Sequence, residues 1–352
     1  MAILESVMSV QKLKNLFPLS QNLKQSILEH RRNVENILKR ENDRRLVIVG
    51  PCSIHNVSEA MDYARKLKKI KDRYSDTVMV IMRVYLEKPR TLDGWKGFLN
   101  DPDLDGTFNV NKGLTLGRKL LVDINKMGVP CATEFLDPLL ADYFSDLITW
   151  GCIGARTTES QIHKQMVSGL RLPVGFKNTT SGDVTTAILS TLAVQKSFTF
   201  VKVMDNGKRS LVQTEGNPNT FLVLRGSTNS PNYTEKDIRG VEKQLADLNT
   251  KIGIIIDCSH GNSGKDFRKQ PSVCKYVADK LINAEFGNFK GVMIESNIIE
   301  GCQNTNKPLK YGISVTDSCV NLETTEKMIE TLSKAVAAGY KSAVQALRIS
   351  PK

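Results

Sequence analysis

The sequence predicts an α/β fold, a (β/α)8 TIM barrel with an N-terminal extension and an antiparallel β-hairpin inserted before the sixth strand. Eight short apolar or β-branched runs alternate with helical patterns along the 352 residues, the order that makes a parallel sheet. Several runs are apolar on consecutive residues, as in Ile252 to Ile256, which is the mark of strands buried on both faces. Between the fifth and sixth runs, two alternating segments flank an Asn-Gly pair, a strong hairpin-turn signal.

Taken in order, residues 1–44 form an extension with an amphipathic stretch carrying Leu23, Ile27, Val34 and Leu38. It is expected to be helical and to make oligomer or regulatory contacts, leaving residues 45–352 for the barrel. The strand runs are Leu46 to Val49, Val78 to Val84, Val129 to Phe135, Ile148 to Ala155, Pro173 to Lys177, Thr220 to Leu224, Gly253 to Ile256 and Gly291 to Ile294. Helices are predicted between them, such as Ser58 to Ile70, with Met61, Ala64, Leu67 and Ile70 at helical spacing, and Gly113 to Met127, with Leu120, Leu121 and Ile124 on one side. The eightfold count favours closure. Phe198 to Val203 and Ser210 to Gln213 alternate around Asp205-Asn206-Gly207-Lys208 and define the hairpin, at about 198–214.

A hydrophobic content of 40% over this length is enough for one large core, since such barrels take roughly 250 residues before extensions. No apolar stretch approaches the ~20 residues of a membrane span, and the N-terminus lacks the apolar segment of a signal peptide. A cytoplasmic location without membrane association is expected. The seven Cys include no CxxC pair, so they read as thiols in a reducing compartment. A net charge of +12 suits nucleic acid, a membrane surface or small polyanions. The densest basic cluster, Lys66 to Arg73, is interrupted by Leu67, Ile70 and Asp72 and reads as a solvated helix face. Small anionic substrates are therefore favoured over nucleic acid.

Chemistry in such barrels sits at the C-terminal ends of the strands. The polar residues there are Cys52, Arg83 with Lys88 beyond it, Glu134, Arg156, Lys177, Arg225, His260 and Glu295. Any single one could mark only the exit of a strand into solvent, but a full set is harder to explain that way. Cys52, His260 and Glu295 come from strands one, seven and eight, neighbours once the barrel closes. They form a mixed sulfur, nitrogen and oxygen set for one divalent ion such as Mn, Fe, Co or Zn. Asp317, in the loop after strand eight, is available as a fourth ligand, though spacing alone does not select it. Arg83, Lys88, Arg156, Lys177 and Arg225 would place five cations around one mouth with few carboxylates, an arrangement that calls for phosphate or carboxylate ligands.

Gly50-Pro51-Cys52-Ser53-Ile54-His55, Arg83-Val84-Tyr85-Leu86-Glu87-Lys88-Pro89-Arg90-Thr91 and Gly94-Trp95-Lys96-Gly97 closely resemble 3-deoxy-D-arabino-heptulosonate-7-phosphate (DAHP) synthases of the type I alpha subfamily. Matching blocks continue through Ile153 to Ser160, Pro173 to Asn178, Leu224-Arg225-Gly226, Asp257-Cys258-Ser259-His260 and Ile294-Glu295-Ser296-Asn297. The resemblance implies a transferase that condenses phosphoenolpyruvate with erythrose 4-phosphate and releases phosphate, the first step of the shikimate pathway. It implies metal ligation by Cys52, His260, Glu295 and Asp317. Phosphoenolpyruvate would be held by Arg83, Arg156, Lys177 and Arg225 beside Glu134, Gly154 and Ala155, and erythrose phosphate by Lys88, Pro89, Arg90 and Thr91. Lys177 is a candidate for proton handling, and a homo-oligomer, tetramer or dimer, is expected by analogy.

Two departures stand out. Asn297 occupies a place where many relatives carry His. In phenylalanine-inhibited members a regulatory pocket is built from the extension, the segment before strand five and the hairpin. Met8, Arg171 and Lys202 fall where that pocket is acidic or bears small hydroxyls, so weak or absent inhibition by phenylalanine is expected. The rival readings are 3-deoxy-manno-octulosonate-8-phosphate synthase and a non-catalytic barrel that binds anions or nucleic acid. The block Lys88 to Thr91 and the long extension favour the four-carbon sugar.

Overall fold

The structure, a computed structural model, describes residue 3 and residues 5–90, 94–282 and 287–349. Two helices come first, α1 (Val10–Leu16) and α2 (Gln21–Lys39). Each begins at a serine whose side chain accepts from a backbone N–H of its own first turn, Ser9 from Lys12 and Ser20 from Leu23. The barrel and its insertion then follow as β1 (Arg45–Gly50), α3 (Val57–Arg73), β2 (Val78–Arg83), α4 (Val110–Lys126), β3 (Cys131–Glu134), α5 (Ala141–Phe144), β4 (Trp150–Ile153), α6 (Gln161–Gly169), β5 (Val174–Lys177), α7 (Thr185–Ala193), β6 (Thr199–Val203), β7 (Arg209–Gln213), β8 (Thr220–Leu224), α8 (Glu235–Asp247), β9 (Gly253–Asp257), α9 (Gln270–Ile282), β10 (Phe289–Glu295) and α10 (Leu322–Ile349).

The strands β1-β10-β9-β8-β5-β4-β3-β2 close into one barrel, every pair of them parallel. The predicted fold is therefore correct, including the hairpin, which forms its own two-stranded sheet from β6 and β7. At its turn, Gly207 takes a φ of 83°, the left-handed conformation that the Asn-Gly pair supplies cheaply.

Strand boundaries differ in an instructive way. The runs Val129 to Phe135 and Ile148 to Ala155 shrink to the short ladders of β3 and β4, although Val129, Phe135 and Ile148 are buried. Apolar burial continues past the last ladder hydrogen bond, so hydrophobicity overestimates strand length. Inside the barrel Trp150 and Phe221 pack with ring centroids 5.3 Å apart, a large apolar contact at the centre of the core.

Helix α2 buries Leu23, Ile27, Val34 and Ile37 along one stripe. The Arg31 guanidinium on the same face donates to the carbonyls of Ser145, Ile148 and Arg171. It thereby seals the segments that lead into β4 and β5. The cluster from Lys66 to Arg73 lies on α3, where Leu67 and Ile70 are buried and Lys68 pairs with Asp72.

Candidate active site at the barrel mouth

Register brings the oxygen and sulfur groups together. Gly50 of β1 pairs with Glu295 of β10, so Cys52, two residues further on, faces the final residue of its neighbour. Asp317 arrives on the loop between β10 and α10. Ligand atoms of Cys52, Glu295 and Asp317 all lie within 4.8 Å of one another. His260 stands at their edge, with Nε2 3.7 Å from Glu295 Oε1. The Gln270 side chain donates to the Glu295 carbonyl and accepts from its N–H, which fixes that strand end.

A cation already sits in this donor set. Lys88 Nζ lies 2.7 Å from Cys52 Sγ and 3.2 Å from Asp317 Oδ2. Burial, followed by the charge of Glu295, pushes the Cys52 thiol up to about 12. Burial also works against the Asp317 carboxylate, but Lys88 and then His260 outweigh it and hold that carboxyl well below its usual range. Sulfur, two carboxylates and an imidazole around a place that accepts positive charge fit a borderline divalent ion, which would ionise the thiol.

The opposite arc is cationic. Arg83, the last residue of β2, is 1% exposed; it lies 3.9 Å from the centre of the Tyr85 ring and donates to Glu295 Oε1 at 3.2 Å. Lys177 ends β5 and lies 3.4 Å from Asp257 Oδ2. Arg225 follows β8, its N–H bonded to Asn178 Oδ1 at 2.8 Å. Burial draws Arg225 below the ordinary arginine range, with Asp257 opposing that shift. Arg156 is exposed just beyond β4. Glu134 presses on Gly154, where a Cβ would stand 2.3 Å from Oε1, so glycine is what leaves room for that carboxylate; Ala155 follows it. Arg90 is exposed, with Nε bonded to the Trp95 carbonyl at 2.9 Å, and Pro89 lies beside it. Thr91 falls outside the described residues.

One expectation needs correcting. The mouth does not hold five cations with few carboxylates, because Arg83, Lys88 and Lys177 have Glu295, Asp317 and Asp257 as partners. Low dielectric makes unpaired buried charge too costly. Asp257 is a further residue of the mouth, not among the strand-end groups named from the sequence. The first polar residue after Gly253 to Ile256 is Asp257 itself.

A second cavity, of about 790 Å³, lies on the flank between residues 7–10, the segment 137–143, α6 and the hairpin, and Met8 and Lys202 line it. Lys202 pairs with Asp142 at 3.0 Å, and the Met8 carbonyl accepts from the Tyr143 hydroxyl. Arg171 does not join them. Its side chain is 85% exposed and faces Glu215.

The sequence model of the DAHP synthetase I family matches residues 20–330. This chain belongs to that family. As a DAHP synthase it is a metal-dependent transferase of aromatic amino acid biosynthesis, and the eight-carbon alternative is not favoured. Relatives include the Tyr-sensitive phospho-2-dehydro-3-deoxyheptonate aldolase of Escherichia coli K12, 44% identical over 93% of this chain and 92% of its own length. The tyrosine-inhibited enzyme of Schizosaccharomyces pombe is 44% identical over 91% of this DAHP synthase and 88% of its own length. The Trp-sensitive E. coli enzyme is 42% identical, with 95% and 96% covered. Among solved structures, the aldolase of Francisella tularensis SCHU S4 superposes with a TM-score of 0.94 at 43% identity, over 96% of this chain and 99% of that one. No described helix is long and apolar enough to cross a membrane.

Proposed function

We propose that this DAHP synthase runs its condensation across the two arcs of the mouth, with Cys52, His260, Glu295 and Asp317 as ligands of one Mn, Fe, Co or Zn ion. The observation that carries the reading is the convergence of Cys52, Glu295 and Asp317 within 4.8 Å, beside His260. When bound, the ion supplies Lewis-acid polarisation of the erythrose 4-phosphate aldehyde.

The protein's own groups do the rest. Arg83, Arg156, Lys177 and Arg225 hold the phosphate and carboxylate of phosphoenolpyruvate beside Glu134, Gly154 and Ala155. Lys88, Pro89, Arg90 and Thr91 hold the sugar phosphate. Fixing both anions aims C3 of the enol phosphate at the aldehyde carbon. A C–C bond forms there, water adds at C2, and the C–O bond to phosphate breaks. Burial lowers the proton affinity of Lys177, but Asp257 and then Cys152 more than restore it, so Lys177 enters the reaction as an ammonium, a proton donor rather than a base.

Residues 1–44 are read as an extension for oligomer and regulatory contacts, in a cytoplasmic homotetramer or homodimer, which light scattering distinguishes. Stripping metal with chelator and restoring single divalent ions, while following phosphoenolpyruvate with four- and five-carbon sugar phosphates, tests the whole reading. Turnover is expected with the four-carbon sugar only, and none under any ion would sink it.

A further inference from the structure

We infer that Asp257 is a positioning residue shared by both arcs, orienting His260 for the metal while holding Lys177 for the substrate. The inference rests on the ligand set proposed above. Asp257 is the last residue of β9, paired in register with Met293 of β10, and is fully buried. Its Oδ2 lies 2.9 Å from His260 Nδ1 and 3.4 Å from Lys177 Nζ. Its Oδ1 accepts from the Ser259 N–H at 3.0 Å and the Ser259 hydroxyl at 2.5 Å. One carboxylate therefore lies within ion-pair distance of a residue of each arc: Ser259 occupies Oδ1, while the buried Oδ2 makes no hydrogen bond among the described residues and meets His260 and Lys177 through proximity alone.

The turn that carries the imidazole is held by its backbone. His260 has a φ of 52°, a left-handed conformation that a residue with a side chain adopts only under constraint. The Lys265 N–H closes the turn on the His260 carbonyl at 2.7 Å. Asn262 Nδ2 donates to the carbonyls of Leu224 and Asp257, tying the ends of β8 and β9 beneath it. In this frame Nδ1 points at Asp257 and Ser259, and Nε2 at Glu295. Ser259 Oγ, whose own hydrogen goes to Asp257 Oδ1, is left to accept from Nδ1 at 2.8 Å, so the carboxylate acting through Ser259 keeps the hydrogen on Nδ1 and leaves the Nε2 lone pair for a ligand bond.

The test measures binding rather than turnover. Mn2+ is titrated calorimetrically into chelator-treated wild-type, Asp257→Asn and Cys52→Ala proteins. Asn is isosteric but removes the charge and puts an N–H donor where one carboxylate oxygen accepted, so Asp257→Asn is expected to bind Mn2+ about 10- to 100-fold more weakly. A purely structural role would lower the melting temperature without moving the affinity of the folded protein. Wild-type affinity in a folded Asp257→Asn variant, with Cys52→Ala impaired, overturns the inference. Failure of the wild type to bind Mn2+ overturns the ligand set instead.

A second measurement needs no Asp257 variant. The chain has four His, so 15N-histidine spectra of the Zn2+-loaded wild type can be assigned. The His260 Nδ1 should carry a proton; a bare Nδ1 overturns the inference whether or not the variant folds.

Discussion

The mouth of the barrel and the cavity on its flank solve opposite problems. At the mouth, Arg83 and Glu295 are almost completely buried and Asp257 completely so, and each is held by a partner of opposite charge. On the flank, Lys202 and Asp142 pair while partly exposed around a large cavity bordered by the extension and the hairpin. Charge at the mouth is locked in place by strand ends that share one sheet. Charge on the flank belongs to segments outside that sheet and is screened by water. Changes at the mouth should therefore be severe and changes on the flank mild.

The largest effect is expected from Cys52→Ala, which should abolish metal-supported turnover while leaving the circular dichroism of the barrel unchanged. Retained activity with any divalent ion would remove the sulfur from the ligand set. Arg83→Met comes next. It takes from the buried Glu295 its hydrogen-bonded cation and should cost about 3–5 kcal/mol in urea unfolding. Arg83→Met/Glu295→Met should recover much of that loss, because no buried charge is then left unpaired. A double variant no better than the single one would mean that packing, not charge, is what Arg83 provides.

The two regions also differ in how far the sequence discloses them. Barrel strands announce themselves because burial on both faces makes them apolar throughout, and their C-terminal ends announce the mouth, since a charged residue closing an apolar run is conspicuous. Pairing across the barrel is another matter. The contact between Arg83 and Glu295 spans 212 positions and depends on register, which no local pattern encodes. Asp257 closes the apolar run of β9 and is legible there as a strand-end acid, but its contact with Lys177 on another strand is not. The flank is harder still. Arg171 and Lys202 both fall in segments assigned to the cavity, yet only Lys202 turns inward, because side-chain direction there is set by packing of the extension and hairpin.

Glu87 lies in the wall between the regions and offers a pH test. Its carboxylate accepts from the Asp137 N–H at 3.4 Å, and Asp137 and Leu140 also line the flank cavity. Burial pushes its carboxyl up from 4.5 to about 8. A carboxyl that is the weaker acid when folded adds stability that is whole below its unfolded value. That stability is lost as pH rises from 4.5 toward about 8. Glu87→Gln does not titrate, so it should gain on the wild type across that interval, by on the order of a few kcal/mol at its upper end. Melting curves from pH 4 to pH 9 measure the difference, and parallel curves would show that the carboxyl is solvated after all.

The smallest effect belongs to the flank. An amino acid entering this cavity must place its ammonium against a carboxylate; of those in the lining, Asp142 is paired with Lys202, Asp205 with Lys14, and Asp137 accepts from the Leu139 N–H, while Met8 contributes no acid. Phenylalanine should therefore leave the rate of DAHP formation essentially unchanged, with tyrosine and tryptophan titrated beside it as the comparison. Arg171 points away, so the charge at Lys202 is the cation that matters here. Lys202→Ser should then open Asp142 to an incoming ammonium and make phenylalanine inhibition appear. Strong inhibition of the unsubstituted protein by phenylalanine would show that the partly exposed Lys202–Asp142 pair yields readily, as weak surface pairs do.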